Sequence, residues 1–296
     1  MKTVNILFVA LGLLAGASAS AAAAGTPAVR VLTAHPVAHA ITARLAEGGA
    51  IEITRVVPAT LPPTRHASFL GGRGAGAFEA AARQADAVVG LRSVWADDVL
   101  YPHARRANVR VVEVDAARPV DGALPGVALR SGEADGLYAW LDPTNLGRMA
   151  DVVARDLGRL SPADAEGIAG RLATFKRAVV ELAAGAGRRF AQADNPVVFT
   201  LSERLDYFVT GFNLELAGRD VREDEAWTDE AAAQLGERLR AEGIGVVLHH
   251  RALTPALDAA VRAAGAVPVL IPAEGNDPLE ELRNAVESVA EALNAP

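Results

Sequence analysis

Residues 144–190 read TNLGRMADVVARDLGRLSPADAEGIAGRLATFKRAVVELAAGAGRRF, and no strand signal interrupts them. Leu146, Met149, Val152, Val153 and Leu157 recur at helical spacing. Ser161-Pro162 then restarts a helix, with the serine as N-cap and the proline at the first helical position. Ile168, Leu172, Phe175, Val179 and Leu182 carry the apolar stripe on to about Ala191. The pattern predicts a helix of roughly 28 residues, about 42 Å at 1.5 Å per residue. Asp142-Pro143 marks the boundary in front of this stretch, with Asp142 placed to cap the helix that follows.

On either side the pattern alternates between strand and helix. Before the boundary, Val29–Thr33, Ile51–Val57, Ala87–Gly90 and Val109–Val114 read as strands, and Val37–Ala46, Ala77–Gln84 and Trp95–Asn108 as helices. Residues 58–76 are rich in proline and glycine and read as a loop; GGRGAG at 71–76 follows no clear strand and lacks a phosphate-loop ending. After the boundary, Val197–Leu201, Ile244–Leu248 and Val267–Ile271 read as strands. Leu205–Phe212, Thr228–Ala241, Thr254–Ala264 and Asp277–Leu293 read as helices. Such alternation implies mainly parallel sheets with helices on both faces. The expected fold is therefore α/β: two parallel-sheet βα lobes joined by one long rigid helix, with a cleft between the lobes. The expected divisions are a first lobe at 28–143, connecting helices at 144–191 and a second lobe at 195–296. Ligands of such sheets bind beyond the carboxyl ends of the strands.

The amino terminus carries a separate signal. Lys2 precedes an apolar run from Val4 to Leu14 and a small-residue stretch, Ala15 to Ala24. This is the layout of a secretory signal peptide, residues 1–24, which predicts export to the periplasm. The chain has no cysteine, so a lipid-attachment cysteine, disulfides and thiolate ligands are all ruled out. A soluble monomer without direct membrane insertion is expected after cleavage. The formal charge of −7 becomes −8 when Lys2 is removed with the signal, and an acidic protein is a poor partner for nucleic acid. Gly-x-Ser-x-Gly, His-Glu-x-x-His and Walker motifs are absent, which argues against an enzyme.

Several local motifs, in this order, bring a family into view. They are Pro62-Pro63-Thr64-Arg65-His66, Ala85–Gly90, Tyr138-Ala139-Trp140-Leu141-Asp142-Pro143, Leu201–Phe208 and Val246–Pro255. Across the whole mature chain the sequence resembles the periplasmic zinc- and manganese-binding components of ABC transporters, the TroA-like solute-binding family. The resemblance implies capture of a transition metal, zinc before manganese, and its delivery to a membrane ABC permease. Carried over residue by residue, the family's metal ligands fall on His66, Tyr138, Ser202 and Ile271. Histidine is expected at the second, histidine or glutamate at the third and aspartate at the fourth, so three of the four positions depart from the pattern.

Other residues are placed to rebuild a site. His35 follows the first strand, and His249 and His250 follow Ile244–Leu248, with His250 where the family has glutamate. His66, His35 and His250, with Glu203 or Glu274 as the anionic partner, form an expected N/O ligand set that suits zinc. Arg65, Arg204 and Arg251 support the alternative, a cleft that binds an anion, a metal chelate or a protein partner. Trp95 and Trp140 read as core, His39 and His103 as surface or helix residues, and residues 220–225 (DVREDE) as a solvated acidic loop.

Overall fold

The computed structural model describes residues 28–122, 124–130 and 137–295; the expected export signal, residues 1–24, lies outside them. The first lobe runs β1 (Val29–Thr33), α1 (Pro36–Ala46), β2 (Ile51–Arg55), α2 (His66–Leu70), α3 (Ala75–Ala82), β3 (Ala87–Gly90), α4 (Leu100–Ala107) and β4 (Val112–Asp115). Two helices follow, α5 (Pro143–Leu160) and α6 (Ala165–Phe190). The second lobe runs β5 (Val197–Thr200), α7 (Asp206–Gly211), β6 (Glu215–Arg219), α8 (Asp229–Ala241), β7 (Val246–His249), α9 (Pro255–Ala263), β8 (Val267–Leu270) and α10 (Pro278–Leu293).

The two sheets repeat one topology. Their strand orders are β2-β1-β3-β4 and β6-β5-β7-β8, and every pairing is parallel. Parallel sheets bury both faces, and the alternation of side chains along each strand divides the core. Val31, Ala87 and Val89 face inward, into a cluster shared with α1, α5 and α6. Leu32 and Val88 face outward, against Phe78, Leu100 and Leu70. In the second lobe Val198, Val246 and Leu248 join the shared inner cluster, whereas Phe199 and Val247 pack outward against α8 and α9. The inner cluster is continuous across both lobes through Phe175, Val179, Leu182 and Phe190 of α6 and Leu282 and Val286 of α10. A core that crosses between lobes resists large hinge motion, because opening would expose apolar surface worth about 25 cal/mol per Å².

The long helix is present, with a different start. A 3-10 turn at Pro162–Asp164 precedes α6, whose 26 residues span about 39 Å. The Ser161 side chain makes no cap bond, so the expected N-cap is not formed. Instead Asp164 pairs with Arg171 at 2.8 Å, and Arg171 Nε reaches the Leu45 carbonyl at 2.6 Å, which fastens α6 to the end of α1. Asp142 does cap α5, accepting from Thr144 N at 2.7 Å and Asn145 N at 3.3 Å. Asn145 is fully buried and clasps Ala128 by two bonds, its Oδ1 accepting from Ala128 N and its Nδ2 donating to Ala128 O.

Other boundaries move for local reasons. The expected helix Trp95–Asn108 shortens to α4, because Trp95 turns its ring into the core ahead of it. The fourth strand begins at Val112 and not Val109: Asn108 donates to the carbonyls of Ala82 and Ala85 and accepts from Arg110 N, which holds a turn there. The proline- and glycine-rich segment contains α2 and the start of α3. Strand β6 was not expected. Its Gly218 lies against the Phe199 ring, where an added Cβ would sit 3.1 Å away, beside a register shift in β5. Among the described residues no helix is long and apolar enough to cross a membrane.

Candidate solute-binding site

The carboxyl ends of both sheets carry the polar residues of the cleft. β1 delivers Thr33 and then His35, which serves as N-cap of α1: its Nδ1 accepts from Val37 N at 3.3 Å. The ring is packed between Trp95 and Trp140, with centroids 5.1 and 5.0 Å away. Burial pushes its pKa down to about 3, and the neighbouring His66 and Arg55 push the same way. His66 opens α2 and is also buried, with Nε2 3.1 Å from the Leu61 carbonyl. A carbonyl only accepts, so the partner assigns the proton to Nε2 and leaves the Nδ1 lone pair for a ligand. Burial lowers the His66 pKa, Arg55 adds to that, and the Leu61 bond and Glu274 oppose it.

Across the cleft the second lobe contributes Glu274 and Arg204. Glu274 Oε1 accepts from Tyr138 Oη at 2.6 Å and from Arg204 at 2.8 Å. The Arg204 guanidinium also lies 4.9 Å above the Tyr138 ring. Burial first, and then the bond to Glu274, hold the Tyr138 phenol protonated, well above the usual range. Tyr138 adopts a left-handed backbone, φ 63°, in a non-glycine residue, which is costly and concentrates at functional sites. Two further contacts join the lobes here: Trp140 Nε1 donates to the Ala273 carbonyl at 2.9 Å, and Arg55 donates to Asn276 Oδ1 at 2.6 Å.

The expected ligand set fares unevenly. His35 and His66 lie on the same wall and feel each other electrostatically. Glu203 is exposed, at the first position of a 3-10 turn, whereas Glu274 bridges Tyr138 and Arg204. His250 is half-buried beside Arg204, Arg251 and Asp224; burial, then the two arginines, lower its pKa to about 4. Ser202 is a structural cap, its Oγ accepting from Arg204 N at 3.2 Å. Ile271 is fully buried, its amide bound to the His249 carbonyl at 2.8 Å. Among the described residues no three His, Asp or Glu side chains are gathered to hold a metal ion.

The flanking charges sort in the same way. Arg65 is exposed, and Arg251 is engaged by Asp224 at 3.0 Å and by the Arg222 carbonyl at 2.9 Å. In the acidic loop Asp220 is held by Arg222 at 2.7 and 2.8 Å. His39 is half-buried with its Nδ1 2.9 Å from Thr33 Oγ1, and His103 binds the Val99 carbonyl. Sequence reading missed Arg55 and Asn276. The signal for Arg55 was its place at the carboxyl end of a strand, in register with Thr33.

The buried neutral histidines set a pH dependence. For His35 the unfolded value is near 6.5 and the folded value about 3. Below pH 6.5 the unfolded chain therefore binds a proton that the folded chain refuses, and stability falls with pH until about pH 3. At about 1.4 kcal/mol per unit, His35 alone is expected to cost about 2–3 kcal/mol at pH 4.5 relative to pH 7. His39, His66, His249 and His250 are shifted in the same direction, chiefly by burial. Urea unfolding at the two pH values measures this. His35→Asn, which retains an N-cap acceptor, is expected to flatten the profile; an unchanged profile would show that another group sets it.

Comparison with known proteins agrees with this architecture. The family described as zinc-uptake complex component A, periplasmic (ZnuA), matches residues 79–294. A zinc-bound ZnuA carrying a 138–173 deletion is 20% identical, with a TM-score of 0.67, covering 91% of this chain and 99% of that one. An FpvC mutant from Pseudomonas aeruginosa is 18% identical, with a TM-score of 0.72, covering 90% and 100%. The Zn(II)-bound ZnuA-like domain of Streptococcus pneumoniae AdcA is 15% identical, with a TM-score of 0.69, covering 91% and 100%. A search of curated protein sequences gave no match. At these identities the structural likeness shows the fold, and the family match over most of the sequence does the rest. This chain belongs to the ZnuA family, the solute-binding component A of metal-uptake ABC systems.

Proposed function

We propose that this chain is a periplasmic, monomeric binding protein that takes a transition metal into the interlobe cleft, zinc before manganese, and passes it to an ABC permease. Its work is capture and release, with no catalytic step. One observation carries the reading: Glu274 crosses from the second lobe to Tyr138 of the first, and Arg204 supplies the positive charge on that carboxylate. The guanidinium is a resident cation at the point where the lobes meet. Cargo metal would replace it, taking Glu274 as oxygen donor and the Nδ1 lone pair of His66 as nitrogen donor. His250 and Glu203 remain outer ligands of this proposed site, and His35 a residue of its wall, since the Val37 amide occupies the His35 Nδ1 lone pair.

The exchange has a measurable consequence. Arg204 is partly solvent-exposed, so its ion pair is modest, near the 1 kcal/mol typical of such contacts. Arg204→Gln is expected to tighten zinc binding about fivefold, the factor that about 1 kcal/mol represents when about 1.4 kcal/mol is one decade. His66→Ala is expected to abolish saturable binding. Titration calorimetry on metal-stripped protein reads both, and equal zinc affinity in the wild type and both variants would sink the assignment.

A further inference from the structure

Four buried side-chain polar atoms among the described residues have no hydrogen-bond partner: His35 Nε2, Arg55 Nε, Asp156 Oδ2 and Asp206 Oδ1. The two aspartate oxygens belong to carboxylates whose other oxygen meets an arginine. The two nitrogens are different, and they are neighbours. Arg55 ends β2 in register with Thr33 of β1, and His35 lies two residues beyond Thr33, so both stand at the carboxyl edge of adjacent parallel strands. Native structures leave few buried donors unpaired, and each asks for an explanation.

Their chemistry is the same. His35 Nδ1 accepts from the Val37 amide, which has no lone pair to offer in return. The ring proton is therefore assigned to Nε2 by its partner, and Nε2–H is a donor. Arg55 Nε–H is always a donor, and the guanidinium is already aimed between the lobes by its bond to Asn276. Neither nitrogen has a lone pair for a metal ion. Binding a metal at His35 Nε2 would require the ring to give up its cap on α1. Two unpartnered N–H donors at adjacent strand ends, one of them cationic, beside the amino-terminal end of an 11-residue helix favour an anionic oxygen.

We infer that His35 and Arg55 form an oxyanion subsite on the first-lobe wall of the cleft, and that the solute is a transition metal carried in a carboxylate chelate. This rests on the proposal that the cleft is the cargo site. The carboxylate meets His35 Nε2–H and Arg55 Nε–H, and the metal faces His66 and Glu274. The shared chemistry is a carboxylate, and a free organic acid is its other possible source.

Calorimetry on stripped protein with three probes separates the cases: Zn²⁺ alone, citrate alone and equimolar zinc citrate. Zinc citrate is expected to bind at least tenfold tighter than either component. Arg55→Met is expected to lose that tenfold advantage while free zinc binds more tightly, because a like charge has gone. Arg55→Lys, which restores charge without the Nε–H donor, is expected to recover only part of it, and it replaces the methionine variant should that fail to fold. Free zinc binding as tightly as the chelate, with no effect of Arg55, would overturn the subsite and leave metal capture standing. Citrate alone binding as tightly as its zinc complex would overturn the chelate assignment. No heat with any probe would overturn both this inference and the cargo reading on which it rests.

Discussion

Trp140→Ala is expected to destabilise the protein by about 3–5 kcal/mol, the range for truncating a large buried aromatic. The ring is 1% exposed and sits among His35, Tyr138 and Trp95, with centroids 5.0, 5.2 and 6.1 Å away. Removing it opens a cavity under the cleft floor. It also orphans the Ala273 carbonyl, which accepts from Trp140 Nε1 across the lobe boundary. The surrounding side chains are aromatic and already packed, so collapse into the space is limited. Trp140→Phe keeps much of the volume and loses the donor, with an expected cost nearer 1–3 kcal/mol. Urea unfolding at pH 7 distinguishes the two. If the alanine variant costs under 1 kcal/mol, the aromatic cluster does not brace the lobes.

Asp206→Ala is expected to cost about 3 kcal/mol, the low end for breaking a buried ion pair by removing one partner. The Asp206 side chain is 3% exposed and lies 3.1 Å from Arg130 and 2.8 Å from Arg219. Arg130 belongs to the segment that precedes Tyr138, and Arg219 ends β6, so the carboxylate ties both to the start of α7. Both guanidiniums keep some access to water, which holds the cost at the low end of the range. Asp206→Asn preserves the shape and removes the charge. A loss in the asparagine variant close to that of the alanine variant would assign the effect to charge. A much smaller loss would assign it to packing.

These two residues also show where sequence reading stopped. The long helix and the alternation around it were legible, because a 3.6-residue stripe and short β-branched runs are local signals. Trp140 was legible as core because a tryptophan carries a large apolar ring. β6 was not: Glu215–Arg219 contains a glycine, Gly218, packed against Arg238 and Phe199, neighbours distant in sequence. Ser161-Pro162 looked like a cap because the residue types were right, yet the chain enters α6 through a 3-10 turn. Within the cleft, His35 and His66 were legible as residues near strand ends or within a motif. Their tautomers were not, since Val37 N and the Leu61 carbonyl decide them. The sequence placed Glu203 in the ligand set, with Glu274 as its alternative. The partners of Glu274, Tyr138 and Arg204, lie 136 and 70 residues away, a distance no local pattern reports.

The central claim is that the cleft built around His66 and Glu274 is a cargo site, and thermal unfolding of the metal-stripped protein during zinc titration tests it most directly. Ligand that binds only the native state adds about 2.7 kcal/mol at one hundred times Kd. The expected result is a saturable rise in Tm with zinc, smaller with manganese, and absent in His66→Ala. A Tm that no concentration of zinc, free or citrate-bound, can move would contradict the account.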